Sequence, residues 1–211
     1  KTLFTNSTGG QNVAVGQGAL LANTTASENV AVGYDAMVSN TTGTDNVAVG
    51  YHALDANTTG TNNTGVGYDS LSANTTASNN TALGFRSLIA NTTGTDNTGA
   101  GRDTLFYQQT GSGNTAIGAT AGAGNGSFSF STYVGAGAGN ASVGDRNTAV
   151  GYLALNDATT GNHNVMIGNV AGEKITTGSN NTAVGSQSLD AVTTSSSNTA
   201  VGTSSATSLT T

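Results

Sequence analysis

The side chains best suited to acid–base or metal chemistry are two histidines, His52 and His163, and aspartates that include Asp35, Asp69 and Asp103. Paired carboxylates can act as general acid and base, and a histidine among carboxylates can hold a metal or relay a proton. The spacing argues for a plainer role. Asp35, His52 and Asp69 follow one another at equal intervals, seventeen positions apart. If each interval is one layer of a stacked structure, Asp35 and Asp69 lie roughly 10 Å apart, wide for the carboxylate pair of a glycosidase. His163 falls at another point of the interval and far along the chain, so the two histidines share no site. Asp45 and Asp96 form a further column. Solvated corners are the expectation for all of them, with no enzyme activity and no cofactor.

Two other columns have chemical character. Tyr34, Tyr51, Tyr68 and Phe85 recur at the same interval, with Tyr152 further on. Such a row could bind sugars or stabilise itself as a stacked ladder, and the ladder is preferred. Thr25, Thr42, Thr59, Thr76 and Thr93 each precede, by two residues, Ser27, Thr44, Thr61, Ser78 and Thr95. Outward Thr-x-Thr rows on a flat face could order water in an ice-like lattice. Against that, Gly43, Gly60 and Gly94 place turns inside the column, and it decays after Thr110. Asn-Thr-Thr sequons at Asn23, Asn40, Asn57, Asn74 and Asn91 follow from the same repetition; on a surface fibre they could be glycosylated, unless stacking withdraws them. The glycine-rich stretch 118–144 has no Walker lysine and no helical pattern after it, so it is not a phosphate loop. It reads as a bulged coil or a contact patch, the coil being preferred, with Phe128, Phe130 and Tyr133 able to fill the space left where Gly122 and Gly139 replace leucine.

The element that positions these columns is a repeat. Counting the residue before each apolar triplet as position 1, copies start at Asn12, Asn29, Asn46, Asn63, Asn80, Asn97, Asn114, Ser131, Asn147, Asn164, Asn181 and Asn198. Each start follows the last by seventeen positions, except that the copy at Ser131 is one residue shorter, and 1–11 form a partial copy. Position 5 is glycine throughout, from Gly16, Gly33, Gly50, Gly67 and Gly84 to Gly202, and position 4 is aliphatic. Position 2 is Val or Thr, position 3 is Ala or Gly except at Tyr133 and Met166, and position 9 is usually Leu or Met. Alternation at positions 2–4 predicts a strand, and positions 8–13 predict a second. Strands so short are unstable alone, but stacked in register each pairs with its own copies. The chain is therefore read as one all-β domain, 1–211, a parallel β-solenoid of about twelve coils. Asn12, Asn29, Asn46, Asn63 and Asn80 are expected to bond in a ladder, and the position-5 glycines to permit positive φ or close approach of layers.

Composition agrees with a thin-walled rod. Of 211 residues 31 are Gly, only 8% are charged and 5% aromatic, and Pro, Cys and Trp are absent. Lack of Cys excludes disulfides and thiolate metal sites. Five Lys and Arg against a net charge of −6 give no basic patch for nucleic acid, and no apolar run is long enough to span a bilayer.

The motifs "NVAVG", "NTAIG" and "NTAVG" resemble the head repeats of YadA-like trimeric autotransporter adhesins, and similar "NTAVGY" arrays of tail-fibre-like proteins. The resemblance extends over essentially the whole chain. It implies a left-handed β-roll, often a homotrimer, exposed on a cell or virion surface. Repeat chemistry runs from Leu3 and Asn6 to Leu209, Thr210 and Thr211, which suggests a piece of a longer fibre or copies that add end to end. The expected function is thus a structural extracellular fibre whose partner is itself, with a surface glycan or host receptor as a further partner. Ice binding through the Thr-x-Thr face is the alternative.

Overall fold

The structure, a computed structural model, describes residues 1–207, so Leu209, Thr210 and Thr211 lie outside it. Its regular structure is one parallel sheet of 12 strands in chain order. The strands are β1 (Val13–Val15), β2 (Val30–Val32), β3 (Val47–Val49), β4 (Thr64–Val66), β5 (Thr81–Leu83), β6 (Thr98–Ala100), β7 (Thr115–Ile117), β8 (Thr132–Val134), β9 (Thr148–Val150), β10 (Val165–Ile167), β11 (Thr182–Val184) and β12 (Thr199–Val201). Each position pairs with its own copy, as in Val13↔Val30 and Val47↔Thr64. Even the short copy keeps register, with Thr132↔Thr148, so its missing residue is absorbed outside the strand. The chain is a β-solenoid of roughly 17 residues per coil.

The second strand expected at positions 8–13 does not form. Positions 7 and 9 both adopt left-handed backbone, as at Asp35 (φ 52°), Met37 (φ 51°), Asp69 (φ 51°) and Leu71 (φ 54°). That conformation breaks strand geometry and costs a non-glycine residue roughly 1–2 kcal/mol. Main-chain bonds between coils offset it: Leu20 N–H donates to Ala36 O at 3.1 Å and Ala22 N–H to Val38 O at 3.0 Å. This side of the coil is a column of stacked turns, and the described residues form one sheet rather than two.

The core is narrow because its columns are mostly small. Position 3 alanines such as Ala31 and Ala48 face Leu20, Met37, Leu54, Leu71, Leu88 and Leu105, all fully buried. Each leucine so removed from water contributes about 1.5–3 kcal/mol. Where position 9 is glycine, another side chain supplies the volume. Tyr133 and Phe128 meet edge to face at 5.3 Å beside Gly122 and Gly139, and Met166 with Ile175 fills the space at Gly172. Phe130, expected to join them, points outward and is 62% exposed.

Two files of buried asparagine run through this core. At position 1, Asn46 donates through Nδ2 to Asn29 Oδ1 at 3.2 Å and to Gly60 O at 2.9 Å. Its Oδ1 accepts both the main-chain N–H of Asn63 at 2.9 Å and that residue's Nδ2 at 3.2 Å. At position 12, Asn57 donates to Asn40 Oδ1 at 2.9 Å and to Gly60 O at 3.1 Å. Both files thus meet on the same position-15 carbonyl and tie each corner shut. Gly33 (φ 144°) shows what position 5 demands: a Cβ there would run into the carbonyl of Gly50 in the next coil.

Candidate functional site

The residues singled out from sequence separate into internal and external columns. Asn12, Asn29, Asn46, Asn63 and Asn80 belong to the position-1 file, and Gly16, Gly33, Gly50, Gly67 and Gly84 stack directly above one another at the tight corner after each strand. Asn23, Asn40, Asn57, Asn74 and Asn91 of the Asn-Thr-Thr sequons are fully buried in the second file. In the folded rod their amides are inaccessible to a glycosylating enzyme.

The two threonine columns differ. Thr25, Thr42, Thr59, Thr76 and Thr93 are exposed, and alternation about the buried position 15 leaves their hydroxyls toward water. Position 16 is half-buried and occupied with its neighbours. Thr61 donates its main-chain N–H to Ser78 Oγ at 3.0 Å, Thr95 does the same to Ser112 Oγ at 3.0 Å, and Thr44 bonds Asp45 at 2.7 Å.

Tyr34, Tyr51, Tyr68 and Phe85 stack face to face. Centroids are 5.3, 5.1 and 5.4 Å apart and planes tilt by 11°, 6° and 19°. Ring faces therefore cover one another and only edges meet solvent, which suits a ladder better than a sugar platform. Beside it runs the alternating file Asp35, His52, Asp69, Arg86, Asp103 at position 7. His52 has Asp35 at 3.9 Å, Asp69 at 3.8 Å and Asp55 at 3.9 Å, and its ring stacks on Tyr51 at 4.0 Å. Burial pushes the Asp55 carboxyl up, partly opposed by His52, and Asp55 Oδ1 has no hydrogen-bond partner. Asp55 carries no signal of this in the sequence, because position 10 has no consistent character. No cluster with metal-binding geometry occurs among the described residues.

Further along the same flank, Arg86 donates through Nε to Asp103 at 2.9 Å while lying over the rings of Phe85 and Phe106, 4.8 Å from each. Arg102 also contacts Asp103. Phe106 and Tyr107 meet edge to face at 4.7 Å. Beyond them the surface drops where the glycine-rich stretch passes. Hollows of 490, 260 and 230 Å³ adjoin there, and Tyr107 borders all three. Sequence reasoning located the irregular coil but missed the hollow. Its signal was the coincidence of Gly122, Ala123 and Gly124 with the break in the Asn file at Gln108.

Comparison with family models, with curated proteins and with solved structures returns no match to this chain.

Proposed function

We propose that this chain is a structural segment of an extracellular or surface fibre, a rod that associates side by side with further copies of itself. The carrying observation is the outer face of the sheet. Positions 2 and 4 point outward along its whole length, and Val15, Leu83, Ile117 and Ile167 are 56%, 43%, 44% and 40% exposed. Twelve strands at about 4.8 Å spacing make this strip roughly 53 Å long, and positions 2–4 make it roughly 10 Å wide. About 530 Å² results, aliphatic along position 4 and Val or Thr along position 2, at the small end beside the ~800 Å² each partner contributes to a standard interface. Apolar patches of that size are the largest a soluble monomer usually carries and are often functional. The resemblance to YadA-like head repeats supports three copies and a surface location, and an adhesive role follows from both.

Light-scattering mass of the purified chain tests this. A multiple of the 20.6 kDa chain mass is expected, falling to one copy in Val66→Lys and Ile117→Lys with an unchanged circular dichroism spectrum. A wild-type monomer at millimolar concentration would end the proposal.

One observation favours the ice-binding alternative: the position-14 hydroxyls of Thr25, Thr42, Thr59, Thr76 and Thr93 are exposed at a regular interval. Thermal hysteresis lost in Thr42→Leu and Thr59→Leu would support it, and unshaped ice crystals at high protein concentration would dismiss it.

A further inference from the structure

We propose that the hollow around Tyr107 binds a neutral saccharide. The proposal does not depend on self-association, because the hollow lies on positions 10–14 of its coils and the apolar strip on positions 2–4.

Four features lead there. The first is room: a hollow of 490 Å³ falls within the roughly 300–1,000 Å³ of small-ligand sites. It exists because Ala123 and Gly124 carry little or no side chain and because the following coil lacks one residue at this corner. The second is a displaced amide. At position 12 every asparagine from Asn23 to Asn91 is buried in its file, but Asn125, at the same position, is exposed. Gln108 has taken the internal role, donating to Phe128 O at 2.5 Å and accepting Phe128 N–H at 3.2 Å. Asn91 Oδ1 is left without a partner by that change. A second exposed amide, Asn140, stands across the hollow with Thr159 beside it.

The third feature is Tyr107, 48% exposed and braced against Phe106. The C–H groups on one face of a pyranose carry partial positive charge and pack on the negative face of an aromatic ring. Hydroxyls at the sugar's edge then meet amide and hydroxyl groups able both to donate and to accept. The fourth is charge. The main hollow is lined by no ionised group; the charges lie at the adjoining end, where Arg86 and Arg102 share Asp103. The walls of the main hollow offer no charge to a phosphate or an ammonium group, and they suit a polyhydroxylated neutral ligand.

The experiment uses the full chain, labelled with ¹⁵N, titrated with tetrasaccharides of glucose, mannose, galactose and N-acetylglucosamine to about 10 mM. Shifts confined to residues around Tyr107, Asn125 and Asn140 are expected with at least one sugar series. Binding should weaken at least tenfold in Tyr107→Ala and in Asn140→Ala, persist in Tyr107→Phe, and persist in Tyr34→Ala. An unperturbed amide spectrum elsewhere shows that each variant is folded. No shifts with any of the four, shifts centred on the Tyr34–Phe85 ladder, or affinity unchanged by Tyr107→Ala would each overturn the proposal. So would a fall in oligomer mass in Tyr107→Ala without sugar binding, which would make the hollow a contact between copies.

Discussion

In the coil that starts at Asn164, core volume is supplied from the wrong side. Position 9 is Gly172, and the fully buried Met166 at position 3 reaches over it. The neighbouring coil has the ordinary arrangement, Ala183 with Leu189, and a branched Val192 at position 12 where this coil has Ile175. Exchanging the two sizes should therefore restore a packing the fold already uses. Met166→Ala alone removes a buried side chain over a glycine that cannot fill the gap. The loss belongs in the upper part of the 2–5 kcal/mol range, about 3–4 kcal/mol. Gly172→Leu alone puts leucine on a left-handed backbone (φ 60°) that Leu155 (φ 54°) and Leu189 (φ 53°) also adopt, at a cost of roughly 1–2 kcal/mol. The new side chain collides with Met166 and crowds Ile175, and such overpacking costs about 1–3 kcal/mol.

In the double variant the collision and the cavity cancel. What remains is the left-handed backbone of a leucine at position 9, roughly 1–2 kcal/mol, and one methylene of excess at Ile175 relative to Val192, about 1 kcal/mol. Coupling between the sites should thus be about 3–6 kcal/mol, at or above the top of the usual range for touching residues. Urea unfolding gives the overall change, and hydrogen exchange at the amides of Gly168 and Thr182 localises it, which matters because repeat arrays need not unfold as one unit. If the single losses simply add in the double variant, position 9 and position 3 do not share one volume, and the account of the core is wrong.

Asn63→Ala should be more destabilising than Asn57→Ala, about 3 against 1 kcal/mol. Only the former strands a buried main-chain N–H, that of Asn80, and exchange of that amide is the check. Gly50→Ala should block folding or cost more than about 3 kcal/mol because its Cβ meets the Gly67 carbonyl at φ 142°. Gly10→Ala, with open space around it, should leave the melting temperature unchanged or slightly raised. Asp55 is held above its ordinary pKa by burial, so the folded rod prefers it protonated. Its contribution is complete below the unfolded value, near pH 4, and is lost as pH rises through the folded one. Asp55→Asn should therefore raise the melting temperature at pH 7 and leave it unchanged at pH 3.

How much of this was legible follows from which side chains touch their own copies. Strand, glycine corner and position-1 asparagine repeat almost without exception, and each is a residue whose chemistry admits few other roles, so the solenoid could be read directly. The second strand was misjudged because leucine at position 9 gives no hint of left-handed backbone. Position 7 did give one, since Asp35, Asp69, Asp103, Gly18 and Gly137 are all of types that tolerate positive φ. The buried role of Asn23 and its copies was hidden by the sequon they spell. The compensation of Gly172 by Met166 was visible as two separate exceptions, and became one fact only when the coil closed and brought positions 3 and 9 together.

The same geometry indicates where selective chemistry can reside. Positions 1, 3, 5, 9, 12 and 15 are taken up by ladders, corners and core, so variation there must be compensated within the coil. Positions 6, 7, 10 and 11 carry almost every kind of side chain, and together they hold Tyr51, His52, Asp55, Arg86, Asp103, Phe106 and Tyr107. One flank of the rod is thus free to specialise while the rest cannot. Replacing 114–146, one full coil and the short one after it, by two full-length copies patterned on 46–62 should then preserve the sheet and its circular dichroism spectrum. The missing residue would be restored, Asp and Ala would stand in place of Ala123 and Gly124, and Asn125 and Asn140 would no longer line the surface, so saccharide binding should vanish. Binding that survives this replacement would place recognition on the shared columns, where every coil presents the same groups and no flank is special.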